Sequence, residues 1–187
     1  MNAAIDITGI VLATERLVLR PWRMDDLNDF FEYASVEGVG EMAGWKHHGS
    51  PEESRGILEQ FCSGKKTFAV EYKGKAIGSV GIKDYRAEEY PEFDSLKCME
   101  IGFALSKDYW GQGLMPEAVQ EVIRYLFEDA GLDVIFCGHF LRNIQSARVQ
   151  QKCGFKHYAY SKYMTLMDTV EDIEDSILTK EMWTALR

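Results

Sequence analysis

Residues 99–131 read MEIGFALSKDYWGQGLMPEAVQEVIRYLFEDAG, a strand that passes through a glycine-rich turn into a helix. In the second half, Ala118, Val119, Val122, Ile123, Leu126 and Phe127 recur at the spacing of one helical face. Pro116 suits the first turn of that helix and Gly131 suits a cap at its end. Upstream, Glu100 to Leu105 has the composition of a largely buried strand. Between the two, Gly111-Gln112-Gly113 lets the chain turn tightly and brings backbone N–H groups close to a ligand. Those groups sit at the positive end of the helix dipole, so the turn suits a phosphate or pyrophosphate. The simpler alternative is a pair of glycines that only joins a strand to a helix.

Known nucleotide patterns narrow the choice. A P-loop requires a Lys-Ser or Lys-Thr after its glycines, and none follows here. A dinucleotide fingerprint requires a third glycine where Pro116 stands, although Asp133 falls at a suitable distance downstream. In the general acyl-CoA pattern [RQ]-x-x-G-x-[GA], Trp110 takes the first place, Gly113 the fourth and Met115 the sixth, so only the fourth agrees.

The phrase YWGQGLMPEAV (109–119) closely resembles the RimJ/RimL-type branch of the GNAT N-acetyltransferases, which reads YWGxGxxxEA. NIQSARVQQKCGF (143–155) resembles the NxxSxxxxxKxGF element of the same family. TERLVLRP (14–21) and GKAIGSVG (74–81) extend the likeness, in family order, over most of the chain from about residue 12 to residue 183. The resemblance implies a single α/β (α+β) domain over 1–187 with the GNAT acyl-CoA N-acyltransferase fold. Its central sheet is mixed, mostly antiparallel, with about six to seven strands flanked by helices.

The resemblance also implies acetyl-CoA as acetyl donor and no metal. Its pyrophosphate rests on the amides of Gly111, Gln112, Gly113, Leu114 and Met115, beside Trp110, and its pantetheine arm pairs with Phe103, Ala104 and Leu105 at a strand bulge. Asn143, Ser146, Arg148 and Lys152 are further cofactor contacts by the same likeness. Ser146 stands where the family approaches the thioester sulfur and is the expected acid to the leaving thiolate; many members use a tyrosine as acid on this helix, and none lies between Asn143 and Gly154. Glu100 stands where the family carries a carboxylate and is the expected base, with Glu71 and Glu117 as fallbacks. Trp45 and Tyr85 are expected to touch the acceptor. The acceptor itself is an amine-bearing small molecule, such as an antibiotic or polyamine, or a protein N-terminus. Two other classes remain: a non-catalytic acyl-CoA sensor, and a nicotinamide dinucleotide enzyme.

Composition agrees with an ordinary globular chain: 187 residues, 46% hydrophobic, 27% charged. A formal charge of −9 argues against nonspecific nucleic-acid binding and leans toward a cationic acceptor. No apolar run has the length of a membrane span and no signal core opens the chain, so a cytoplasmic protein, monomer or homodimer, is expected. Cys62, Cys98, Cys137 and Cys153 form no CxxC, and neither a zinc cluster nor a disulfide framework is expected.

Along the chain, 1–10 reads as a loose arm and Leu12 to Arg20 as one strand. Helices follow after Asp25 and after Ser50-Pro51-Glu52-Glu53, a capping box. A hairpin turns at Lys73-Gly74, and an acidic aromatic loop runs from Asp84 to Lys97. Val134 to Phe140, Phe155 to Tyr163 and Ser176 to Thr179 are further strands, with acidic Asp168 to Asp175 as a connection.

Overall fold

The structure is a computed structural model that describes residues 1–187. Its sheet has the order β1-β2-β3-β4-β5-β6-β8-β7. The strands are β1 (Leu12–Ala13), β2 (Leu17–Pro21), β3 (Thr67–Tyr72), β4 (Lys75–Lys83), β5 (Cys98–Leu105), β6 (Val134–Phe140), β7 (Lys156–Met164) and β8 (Val170–Thr179). Only β5 and β6 run parallel. The sheet has one strand more than expected because Leu12 to Arg20 folds back on itself. The Thr14 hydroxyl accepts the N–H groups of Arg16 and Leu17, and the turn so made pairs Leu12 with Leu19.

Helices cover both faces. α1 (Leu27–Ala34) and α2 (Pro51–Gly64) lie on one, and Trp22, Phe30, Leu58, Ala69 and Ala76 pack beneath them. Ser50 caps α2 by accepting the Glu53 N–H at 3.3 Å. α3 (Leu114–Arg124) and α4 (Ile144–Lys152) cover the other face, and α5 (Lys180–Ala185) closes the chain. The apolar stripe of α3, continued by a π-turn over Tyr125–Asp129, is fully buried against Leu19, Phe68, Val80, Met99 and Ile101. Each large side chain so buried stabilises the fold by roughly 1.5–3 kcal/mol.

Residues 1–10 are not a loose arm: Ile5 and Ile7 are buried in the same core, and Asn2 bridges to Cys98. The acidic stretch 168–175 is not a connection either, for most of it lies within β8. Its carboxylates are satisfied by cations from elsewhere in the fold, Glu171 by Arg142, Asp172 by Lys162 and Asp175 by Arg86. That neutralisation lets a charged segment form a strand without the usual apolar alternation.

Candidate active site

β5 pairs with β4 without a break from Gly78↔Leu105 to Lys83↔Glu100. On its other side β6 stays beside it only at Cys98, Met99 and Glu100. Beyond that point the two strands part, and the gap opens into a cavity of about 660 Å³. Strand alternation decides which backbone groups face it. Ser106 N–H donates to the Ile77 carbonyl at 2.9 Å, so Ala104 and Gly102 also turn their backbone toward β4. Phe103 and Leu105 turn theirs into the gap. The Leu105 carbonyl is taken by Trp110 Nε1 at 2.8 Å, and the Phe103 N–H and carbonyl are left facing the cavity. The expected bulge is absent from β5, where the register with β4 is regular; the departure of β6 frees these groups instead.

At the far end of β5 the chain turns into α3. Gly113 is its N-cap at φ 75° and Gly111 has φ 76°, a region where a side chain costs about 1–2 kcal/mol. In this conformation the N–H groups of Gly111, Gln112, Gly113, Leu114 and Met115 donate to no protein acceptor. They form an anion cradle at the positive end of α3. Trp110, Gly111, Gly113, Leu114 and Met115 line the cavity; the Gln112 side chain turns away, to the Asp108 carbonyl at 3.1 Å.

Arg16 braces the cradle from behind. Its Nη1 donates to the Gln112 carbonyl at 3.0 Å and its Nε to Glu117 at 2.7 Å, while Thr14 and the Arg16 N–H donate to the same carboxylate. Burial alone would raise the Glu117 carboxyl, but these donors outweigh it and hold it below the ordinary range. Glu117 is thus occupied as a brace, and Glu71 is paired with Arg20 at 2.7 Å outside the cavity. Neither fallback is a free base.

α4 forms the opposite wall. Asn143 caps it by accepting the Ser146 N–H at 3.1 Å and fixes the loop above by donating to the Met42 carbonyl at 3.0 Å. Asn143, Ser146, Arg148 and Lys152 all line the cavity, as do Phe103, Ala104 and Leu105.

Glu100 alternates with Met99 and Ile101 of the α3 core, so it projects from the other face of the sheet, at the point where the strands part. It is buried, with Lys83 Nζ at 2.9 Å and Arg86 Nε at 3.9 Å. Burial disfavours the Lys83 ammonium, but the Glu100 carboxylate outweighs it and holds the amine above its ordinary value. Lys83 is enclosed at the cleft mouth yet keeps about half of its side chain, 53%, open to solvent. Arg86 is pinned by Asp175, Glu89 and Ser161.

Trp45 and Tyr85 do not line the cavity. Trp45 packs on His48 and over Gly40, and Val39, Met42 and Ala43 of the same loop face the cavity instead. Tyr85 stacks on Phe136, its hydroxyl bonded to Asp94 at 2.7 Å; its neighbours Asp84 and Arg86 line the cavity. In both cases the large ring is used for packing. The acidic loops offer the acceptor little, since Glu89, Glu92 and Asp94 are each bonded within the protein. Among the lining residues that the sequence reading did not name for the site are Lys83, His139, Phe140 and Tyr163. His139 had a signal, an imidazole in the otherwise apolar strand VIFCGHF.

A mixed sheet whose only parallel pair splays beside a bare helix N-terminus is the architecture of an acyl-CoA-type transferase. Residues 16–156 match the family model of the acetyltransferase (GNAT) domain, and the chain belongs to the GNAT acetyltransferase family. It is 29% identical over 118 residues to the FsC-acetyl coenzyme A-N(2)-transacetylase of Aspergillus fumigatus, a match covering 62% of this chain and 50% of that protein. The chain thus spans about half the length of that relative. A GNAT-family acetyltransferase from Bacillus anthracis shares the fold with TM-score 0.80 and 23% identity, covering 92% of this chain and 99% of that one. A ribosomal-protein-S5-alanine acetyltransferase from Vibrio fischeri shares it with TM-score 0.70 and 23% identity, covering 93% and 98%.

Proposed function

We propose that the protein is an acetyl-CoA-dependent N-acetyltransferase of the RimJ/RimL-like kind, acting on a primary amine by direct attack in a ternary complex. The observation that carries this reading is the run of unpaired amides from Gly111 to Met115, which opens into the same cavity as the Phe103 backbone. Acetyl-CoA supplies the acyl group as a thioester. The α3 amides hold its diphosphate, with Arg148 and Lys152 adding positive charge at the opposite wall. The Phe103 backbone receives the pantetheine amides as an added strand, and its N–H polarises the thioester carbonyl. Losing such a donor costs about 2.7–4 kcal/mol of barrier.

The acceptor arrives as an ammonium and must lose a proton before it can attack. Glu100 takes that proton, and to do so it exchanges its Lys83 partner for the incoming amine. Cys137 lines the cavity but serves no covalent step, because burial pushes its thiol well above the ordinary value and keeps it protonated. A protein N-terminus is the proposed acceptor, a reading supported by the likeness to the Vibrio fischeri enzyme.

The test pairs calorimetry of acetyl-CoA with a thiol-release assay. The amine panel contains peptides beginning with alanine or serine, polyamines and aminoglycosides. Turnover on a peptide supports the reading, and Glu100→Gln then slows turnover at unchanged acetyl-CoA affinity. Turnover on a small amine alone reassigns the acceptor. Tight binding without turnover on any amine makes the protein an acyl-CoA sensor, and no binding at all contradicts the proposal.

A further inference from the structure

His139 lies on β6 just beyond the point where that strand leaves β5. Glu100 stands beside Phe136 in the register, so three residues further on His139 comes level with Phe103 across the gap. Strand alternation places it with Ile135 and Cys137 on the α3/α4 face, the reverse of the face that carries Glu100. It lines the cavity and is half-buried. Its Nδ1 lies 3.3 Å from Oε1 of Gln150, a residue only 2% exposed. Gln150 Nε2 in turn lies 3.5 Å from the Ser146 hydroxyl. With Gln150 Oε1 accepting, Nδ1 carries a proton, and Nε2 is the ring nitrogen left without a protein partner. Glu174 stands opposite His139 in β8, and Arg148 and Lys152 of α4 line the same cavity.

We propose that His139 is a catalytic residue of the transfer, the acid that protonates the departing thiolate from Nε2, with Gln150 and Ser146 fixing its ring and the sulfur. This rests on the acetyltransferase reading above. The two proton transfers then fall on opposite faces of the sheet. On the Glu100 face the amine gives up its proton and its nitrogen forms the new bond to the acetyl carbon. On the α4 face the carbon–sulfur bond breaks, the sulfur keeps the electron pair, and the His139 imidazolium supplies the proton that makes it a thiol. The neutral imidazole then regains a proton from solvent.

Three variants and one spectrum test the assignment. His139→Asn keeps a donor in the place of Nδ1 and removes Nε2. It should lower kcat roughly 10²–10⁴-fold with the acetyl-CoA dissociation constant unchanged. His139→Gln, which places an amide near Nε2 but cannot protonate, should be as slow. Free imidazole should restore turnover to His139→Ala. In the wild type, the His139 Nε2 resonance should shift on addition of CoA and stay in place with desulfo-CoA, which lacks the sulfur. Full activity of His139→Asn, loss of acetyl-CoA binding in every variant, or equal shifts with CoA and desulfo-CoA would each overturn the role. A wild type that turns over normally beside an unimpaired His139→Asn overturns this assignment alone; a wild type that binds no acetyl-CoA overturns the function and the assignment with it.

Discussion

Gly113 carries more of the chemistry than any residue with a side chain. Its φ of 75° turns the chain so that the following amides point outward, and an added Cβ would meet only the Arg16 guanidinium, at 3.6 Å. Space is therefore not the obstacle to substitution; backbone conformation is. Gly113→Val forces a β-branched residue into the left-handed region, and the strain is relieved by turning the amides out of line. Acetyl-CoA affinity measured by calorimetry should fall at least tenfold, with the melting temperature lowered by a few degrees; unchanged affinity would mean the amides are not the anchor. Glu41 shows the same dependence on backbone donors. Burial opposes its ionisation, but the N–H groups of His47 and Gly38 and the His47 ring outweigh it and hold the carboxyl at about 2. A depressed carboxyl adds stability above its unfolded pKa of about 4.3, and that stability is lost as pH falls toward the folded value. Glu41→Gln should therefore melt below the wild type at about pH 6, with the gap narrowing by about pH 3; a constant gap would show that the charge contributes nothing.

Among the elements, the apolar face of α3 was legible, because six positions follow one helical period and all six are buried in the structure, although the last two, Leu126 and Phe127, fall in a π-turn that the spacing did not signal. β8 was not, since its acidic half conceals a strand whose charges are neutralised by partners that only the fold brings near. The same limit hid the β1–β2 hairpin, which depends on one threonine hydroxyl accepting two amides. α4 joins stability to function through its cap. Asn143 holds the Ser146 N–H and the Met42 carbonyl together, so Asn143→Ala should cost about 1 kcal/mol and loosen the loop that roofs the cavity. The check is a modest fall in melting temperature with a larger fractional rise in the acetyl-CoA KM. A fall in stability without any change in KM would confine Asn143 to capping.

For the molecule as a whole, the cleft is a consequence of sheet topology. An antiparallel sheet with one parallel pair can separate there without breaking its other ladders, and helices on both faces hold the two halves apart. The donor half of the site was visible in the chain because it is built from contiguous motifs, 109–119 and 143–155. The rest was visible only at Glu100, through the family likeness, because Lys83, Glu100, His139 and Tyr163 come from four strands, and no local pattern reports which side chains a splayed sheet turns inward. Trp45 and Tyr85 illustrate the error that follows: composition marks an aromatic near the site, while packing decides whether its ring faces the cavity or the core. The central claim, that the bare amides after the double-glycine turn hold the diphosphate of acetyl-CoA, is tested most directly by following backbone amide resonances during an acetyl-CoA titration. The N–H signals of Gly111, Gln112, Gly113, Leu114 and Met115 should show the largest shifts in the chain, saturating together; if they stay in place while another region responds, the claim is wrong.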